Sequence, residues 1–275
     1  MGRRLLTTLP GWATETLRSL RTATLRVAGP ADWVVRRLSG RGGLPPLWLR
    51  RHTGPLRHFE GAARSTAELI ERLGILRPDD LILDMGCGCG AMALEFARTL
   101  GPEGRYVGFD VHRSSIRWCC TRFARDGRFR FELADVASPF GSASEGRVEE
   151  YRFPLPEESA GFILGKSLFT HLLEPEVRHY LCEVRRTLQP GRVALVTAFL
   201  FDPSFGTPAF PFPSGSAAVR WRVSSRPHAA VAYARPLFER MVADASLRVT
   251  SVLQGFFPGS APVPAAQDTL LLVPR

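Results

Sequence analysis

Three aspartates, each closing a short apolar run, are the residues best placed to do chemistry in this chain of 275 residues. Asp84 follows Leu81-Ile82-Leu83 and precedes Met85-Gly86-Cys87-Gly88-Cys89-Gly90; Asp110 closes Arg105-Tyr106-Val107-Gly108-Phe109; Asp135 follows Phe129-Arg130-Phe131-Glu132-Leu133-Ala134. An apolar run opening into alternate glycines predicts a buried strand, a turn, and a helix starting near Gly90. Glycine adopts positive φ without strain and lets a ligand approach the backbone. At the carboxyl end of a parallel strand, such a turn is the usual seat of a nucleotide-like cofactor. An acid at its mouth opposes a pyrophosphate and suits a cation such as an amino-acid ammonium. Asp110, 20 residues beyond Gly90, is spaced to accept the hydroxyls of a ribose, each charge-assisted bond contributing about 1.5–3 kcal/mol. Asp135 suits the exocyclic amine of an adenine. Because Gly86 to Ala91 also fits G-x-G-x-x-A, a dinucleotide such as NAD stays open on the turn alone.

The elements that must hold these acids alternate along the chain. Strands are predicted near 81–84, 106–110, 129–134, 162–165, 194–199, 249–254 and 269–273. Residues 59, 62, 63, 66, 69, 70 and 73, apolar but for Thr66, predict a one-faced helix closed by Gly74. Further helices are predicted after the glycine turn, from Ser114, from Glu174-Pro175 and from Pro236. Regular β-α alternation implies an α/β, Rossmann-like, seven-stranded, mostly parallel sheet with helices on both faces. Gly161-Phe162-Ile163-Leu164-Gly165-Lys166-Ser167 imitates a P-loop, but three residues separate its glycines where four are required.

With its ordered motifs, the chain resembles class I S-adenosylmethionine-dependent methyltransferases of the small-molecule type. Asp84 to Gly90 is similar to their D-x-G-x-G-x-G segment, Ser167-Leu168-Phe169-Thr170-His171-Leu172 to the segment after the fourth strand, and Leu188-Gln189-Pro190-Gly191-Arg192 to the turn before the fifth. Gln267-Asp268 before the last apolar run is similar to the close of many members. The resemblance covers roughly residues 53–275. It implies S-adenosylmethionine as cofactor, an antiparallel last strand, and cofactor contacts from Asp84, Gly86, Cys87, Gly88, Gly90, Asp110, Val111, Asp135, Val136, Lys166 and Ser167. Gly161, where the family usually has Asp, and Lys166, at a position more often small or polar, depart from the pattern. No Asn/Asp-Pro-Pro-Tyr/Phe follows the fourth strand, which by resemblance argues against methylation of nucleic-acid bases.

Transfer from an activated sulfonium needs orientation above all, and a base chiefly when the acceptor is a hydroxyl. His171 is the candidate base, with hydrogen bonding to the cofactor or helix capping as its alternative role. Residues 200–234, rich in Pro, Gly, Ser and aromatics, read as a loop over the carboxyl edge. Phe201, Phe205 and Trp221 would then face a small, apolar or aromatic acceptor beside His171; a surface excursion packing on the N-terminal arm is the other reading. A catalytically silent binding protein is the non-enzymatic alternative.

Composition bounds the rest. Residues 1–59 hold 11 arginines against Glu15 and Asp32, so +9 of the net +10 lies there. The remainder is near neutral, and no general nucleic-acid affinity follows. Residues 1–52 therefore read as a basic helical arm with a Gly/Pro linker. The arm can lie on the core, touch an anionic membrane or protein partner, or be a presequence. Five cysteines, with Cys87 and Cys89 spent in the turn, predict free thiols and no metal site. The lack of a long apolar stretch or signal-peptide pattern points to a cytoplasmic protein. The residues carry no signal of oligomeric state.

Overall fold

The computed structural model describes residues 23–51, 59–141, 144–202, 212–255 and 267–275. In chain order the body comprises α1 (Gly29–Leu38), α2 (Leu47–Arg50), α3 (Phe59–Leu73), β1 (Leu81–Met85), α4 (Ala91–Thr99), β2 (Arg105–Asp110), α5 (Arg113–Arg122), β3 (Phe129–Leu133), β4 (Ala160–Gly165), α6 (Glu174–Thr187) and β5 (Leu188–Phe201). It continues with β6 (Ser214–Gly215), β7 (Val219–Trp221), β8 (Val231–Ala234), α7 (Arg235–Asp244), β9 (Leu247–Leu253) and β10 (Asp268–Pro274).

The described strands form one ten-stranded sheet in the order β3-β2-β1-β4-β5-β8-β7-β6, with β10 joining β5 to β9. The expected seven strands are all present, so the seven-stranded reading is corrected by three additions. The reason lies in β5, which runs 14 residues, far past the 194–199 expected. Its middle pairs antiparallel with β10, through Ala194–Ala198. Its last residues, Phe199, Leu200 and Phe201, pair parallel with Ala232, Tyr233 and Ala234 of β8. The hairpin β7–β6 extends that edge. Thus the described part of 200–234 holds the end of β5 and three short strands, where a loop was expected; residues 203–211, including Phe205 and Phe210, lie outside the described residues. The last strand is antiparallel, as expected.

Both faces of the sheet are covered. Ile82, Tyr106, Phe162, Leu164 and Leu195 pack under Ala63 and Ile70 of α3, Met92 and Phe96 of α4, and Cys119 of α5. Leu83, Met85, Ile163 and Val196 face Val177, Leu181 and Val184 of α6, and Phe238 and Met241 of α7. Such two-sided burial is why these strands read as continuous apolar runs.

The arm, from residue 23 onward, lies on the α3–α5 face. Asp32 is nearly buried and anchors it: Arg36 Nε, Arg50 and the Leu47 N–H all donate to its carboxylate, at 2.9, 2.6 and 3.1 Å. Arg122 of α5 donates to Gly43 O at 3.2 Å. Leu49 and Phe59 enclose Cys89, with Trp48 and Trp118 alongside. Trp12, Thr16, Leu17 and Leu20, whose spacing predicts a helix, lie outside the described residues.

Gly161 has a physical explanation in this fold. A Cβ there would come within 2.3 Å of Asp80 Oδ1. Asp80 pairs with Arg192 of β5, whose Nε also donates to Gly161 O at 2.7 Å. The carboxylate at this corner thus comes from the turn before β1, and the strand position must be glycine. Gly161→Ala should separate the buried pair, cost about 2 kcal/mol and lower Tm by about 4–8 °C. Gly127→Ala, where a Cβ meets nothing within 4 Å, should shift Tm by no more than about 1–2 °C. Thermal melts of both variants check this.

Candidate functional site

The glycine turn is fastened to the end of β2. Gly86 N–H and Cys87 N–H both donate to Phe109 O, at 2.9 and 3.0 Å. Gly88 N–H donates to Asp110 Oδ2 at 2.8 Å, and His112 N–H to Asp110 Oδ1 at 2.7 Å. Gly86, Gly88 and Gly90 all have positive φ, from +54° to +75°. At Gly86 a Cβ would also lie 3.2 Å from Leu168, in the segment after β4. Sequence therefore dictates glycine twice here, through φ and through close approach. The result is a side-chain-free cradle with a fixed carboxylate beside it.

Asp135 stands exposed just beyond β3, and Val136 next to it is buried. Half-buried Val111 follows Asp110. The segment after β3 folds back onto this corner, since Ala137 N–H donates to Gly146 O at 2.6 Å. Asp110, Val111, Asp135 and Val136 are thus brought together at the tips of β2 and β3. Cys87 and Cys89 are buried free thiols, and burial pushes the Cys87 thiol well up, which makes it inert as a nucleophile.

Asp84 differs from expectation. It does not stand open to a ligand ammonium; it is 2% exposed. Tyr106 Oη donates to its Oδ2 at 2.5 Å. Asp84 pairs with Gly108 in the β1–β2 register, and Tyr106 lies two residues back on the same face. A Cβ at Gly108 would sit 2.9 Å from the Tyr106 ring, so the glycine is what lets that ring reach the carboxylate. Burial lifts the Asp84 carboxyl to about 7, against the opposing influence of the Tyr106 hydrogen bond and the Lys166 charge. Lys166, just past β4, reaches across to α3 and donates to Ala62 O at 2.7 Å. Burial lowers its pKa to about 8 while Asp84 holds it up. The cation facing Asp84 is the chain's own.

Ser167 is a non-glycine residue at φ +59°. Its N–H donates to Thr197 Oγ1 at 2.7 Å and its Oγ to Gln267 Oε1 at 3.1 Å. These bonds tie the post-β4 segment to β5 and to the start of β10, and engage the hydroxyl within the protein.

His171 lies between β4 and α6. Its Nδ1 is 2.9 Å from His228 O. A carbonyl only accepts, so Nδ1 carries the proton and Nε2 keeps a lone pair. Burial pushes its pKa down, so the imidazole is neutral at pH 7. Glu176 orients the pair: its Oε1 is 3.0 Å from His228 Nε2, and its Oε2 accepts Leu173 N–H at 2.6 Å. The Phe140 ring packs edge-on to His171, centroids 4.9 Å apart. Beside them opens a cavity of about 210 Å³ lined by Pro139, Phe140, Ser225, Arg226, Pro227, His228 and Ala229. Arg226 Nε is buried there without a hydrogen-bond partner.

The expected acceptor aromatics are placed otherwise. Phe201 is buried in a satellite core with Phe212, Ala230, Ala232 and Ala234 under the added strands, because β5 continues through it. Trp221 sits half-buried on β7, and Phe205 lies outside the described residues. Sequence reasoning missed Tyr106, Phe140 and Arg226. The Pro139-Phe140 and Arg226-Pro227 pairs in loop-like segments were the only available signal for the last two.

Residues 82–191 match a family described as a methyltransferase domain. The chain is 27% identical over 154 residues to mRNA cap guanine-N(7) methyltransferase 1 of Arabidopsis thaliana, covering 54% of this chain and 40% of that protein. It is 29% identical over 116 residues to a fatty-acid O-methyltransferase of Mycolicibacterium smegmatis, covering 42% and 36%. The chain thus spans less than half the length of these curated relatives. In fold it is similar to a geranyl diphosphate methyltransferase solved with SAM, with TM-score 0.54, 16% identity, and 83% and 90% of the two chains covered. It is also similar to a SAM-dependent methyltransferase from Aquifex aeolicus, with TM-score 0.51, 17% identity, and 83% and 98% covered.

The enclosed Asp84 makes a stability prediction. The unfolded carboxyl titrates near its ordinary value and the folded one at about 7. Between those values the native state binds a proton that the unfolded chain lacks, so the Asp84 contribution falls as pH rises. Asp84→Asn keeps a partner for Tyr106 and removes the charge. Its Tm relative to wild type should rise with pH, reaching about 2–4 °C above wild type at pH 8 with no gain at pH 4. A difference independent of pH would show that the carboxyl is not displaced.

Proposed function

We propose, from the match of residues 82–191 to a methyltransferase domain, that this chain transfers a methyl group from S-adenosylmethionine to a small, largely apolar acceptor. The observation that carries the reading is the Gly86–Gly90 cradle locked to Asp110, with both Asp110 oxygens oriented by backbone N–H groups. A carboxylate at the tip of the second strand, beside a glycine turn, suits the hydroxyls of a ribose. A Cβ at Gly86 or Gly90 would crowd Leu168 or Cys119, so the turn keeps a bare backbone, which supports close approach by an adenosyl group. Val111 and Val136 offer apolar surface for the adenine, and Asp135 an acceptor for its amine.

When bound, S-adenosylmethionine supplies a methyl group already activated by its sulfonium. What remains for the chain is to hold, orient and exclude water. At the aminoacyl end, Lys166 is the cation available for a carboxylate. At the acceptor end, neutral His171 offers Nε2 to take a proton from a hydroxyl. The His228 carbonyl fixes the tautomer that this role requires, and Glu176 holds the His228 side chain. The cavity beside it is small and largely apolar, with Arg226 at its wall, which supports a small acceptor over a macromolecule. The named relatives act on different acceptors, so the acceptor class rests on this cavity.

Calorimetric titration with S-adenosylhomocysteine should show binding by wild type and at least about tenfold weaker binding by Asp110→Ala, the scale of one or two charge-assisted hydrogen bonds. Binding of NAD in preference to S-adenosylhomocysteine would overturn the proposal. His171→Ala should leave S-adenosylhomocysteine affinity within about twofold and reduce turnover of a hydroxyl acceptor by about 100-fold or more. Near-normal turnover would leave His171 a merely structural role.

A further inference from the structure

The described residues expose seven large hydrophobic side chains, and five of them, Val27, Trp33, Val34, Val35 and Leu38, lie within twelve positions of the arm. Val27 and Leu38 are more than four-fifths exposed. Solvated helices seldom present such a cluster, and a contiguous apolar surface marks an interaction site. The opposite side of the same helix is committed: Arg36 and Asp32 turn inward to hold Leu44, Leu47 and Arg50. The apolar residues therefore face away from the body by construction.

The surroundings are cationic. The described part of the arm, residues 23–51, holds six arginines against one acid, Asp32. It docks on α5, where Arg113, Arg117, Arg122 and Arg125 are exposed and no acid occurs from Val111 to Arg125. Arg26 stacks on Trp48 at 4.6 Å and sits close enough to His112, at the start of α5, to influence its proton affinity. Arm and helix are thus joined, and both carry an excess of arginine. A nucleic acid would use the arginines but leave the valines, leucine and Trp33 in water. An anionic lipid surface uses both, since apolar side chains enter the acyl boundary while arginines meet headgroups.

We propose that residues 27–38, together with the arginines of α5, form a peripheral docking surface for an anionic lipid bilayer. No helix among the described residues is long and apolar enough to cross a membrane, so the association is interfacial. The proposal does not depend on the methyltransferase reading.

The test is co-sedimentation of the full chain with phosphatidylcholine vesicles and with vesicles containing 30% phosphatidylglycerol (about that fraction suffices to set a strong surface potential). Binding is expected to the anionic vesicles alone, weakening as salt is raised. Val34→Asp combined with Leu38→Asp should weaken it at least tenfold while Tm and S-adenosylhomocysteine affinity stay unchanged. Absence of binding to anionic vesicles would overturn the proposal. So would binding that the double variant retains, which would assign the attraction to charge alone, with a polyanion such as nucleic acid as the better occupant. A fall in Tm or a change in oligomeric state in the double variant would overturn it too, by showing the face already covered within the chain or by a second copy.

Discussion

One carboxylate holds the site together. Asp110 accepts the Gly88 N–H with one oxygen and the His112 N–H with the other, so the turn after β1 and the start of α5 are both referred to the tip of β2. Phe109 O adds the Gly86 and Cys87 N–H groups to the same junction. Without the acid, a turn whose φ values only glycine adopts readily would lose the bond at its centre, and an unmet amide costs about 1–3 kcal/mol. The structural role of Asp110 and the ligand-binding role proposed for it would therefore rest on the same two oxygens.

Much of this was legible in the chain. β1, β2, β3 and β4 fall within a residue or two of the runs expected, because strands buried on both faces read as continuous apolar stretches. α3 follows its 3.6-residue apolar period from Phe59 to Leu73. The coming together of Asp110 and the turn was readable from spacing, since a βαβ unit fixes which strand tips are neighbours. Less legible was whatever depends on register or on lateral pairing. Tyr106 reaches Asp84 only because Gly108 leaves space between them, and no local pattern announces that. β6, β7 and β8 are short and lie in a Pro/Gly/Ser-rich stretch, so the continuation of β5 that recruits them left no periodic trace. Phe201 read as a ligand contact for the same reason.

Asp80 and Gly161 show how a departure from a family pattern can be compensated in space. The acid missing from β4 is met by one from the preceding turn, aimed at the same arginine of β5. Lys166 is a departure of a different kind. It places an amine whose pKa burial lowers to about 8 near Asp84 and ties β4 to α3 through Ala62 O. Asp110 and Asp135 gather at the tips of β2 and β3, while His171, His228 and Glu176 form a separate cluster from the segment after β4, the segment between β7 and β8, and α6.

The most direct measurement is a crystal structure of the chain grown with S-adenosylhomocysteine. The ribose hydroxyls should lie within hydrogen-bond distance of Asp110 while Gly88 N–H stays bonded to the same carboxylate, and the thioether should point toward the His171 side of the cleft. A nucleoside bound elsewhere, or an Asp110 that must release Gly88 to receive it, would overturn the claim that one carboxylate both shapes the turn and reads the ligand.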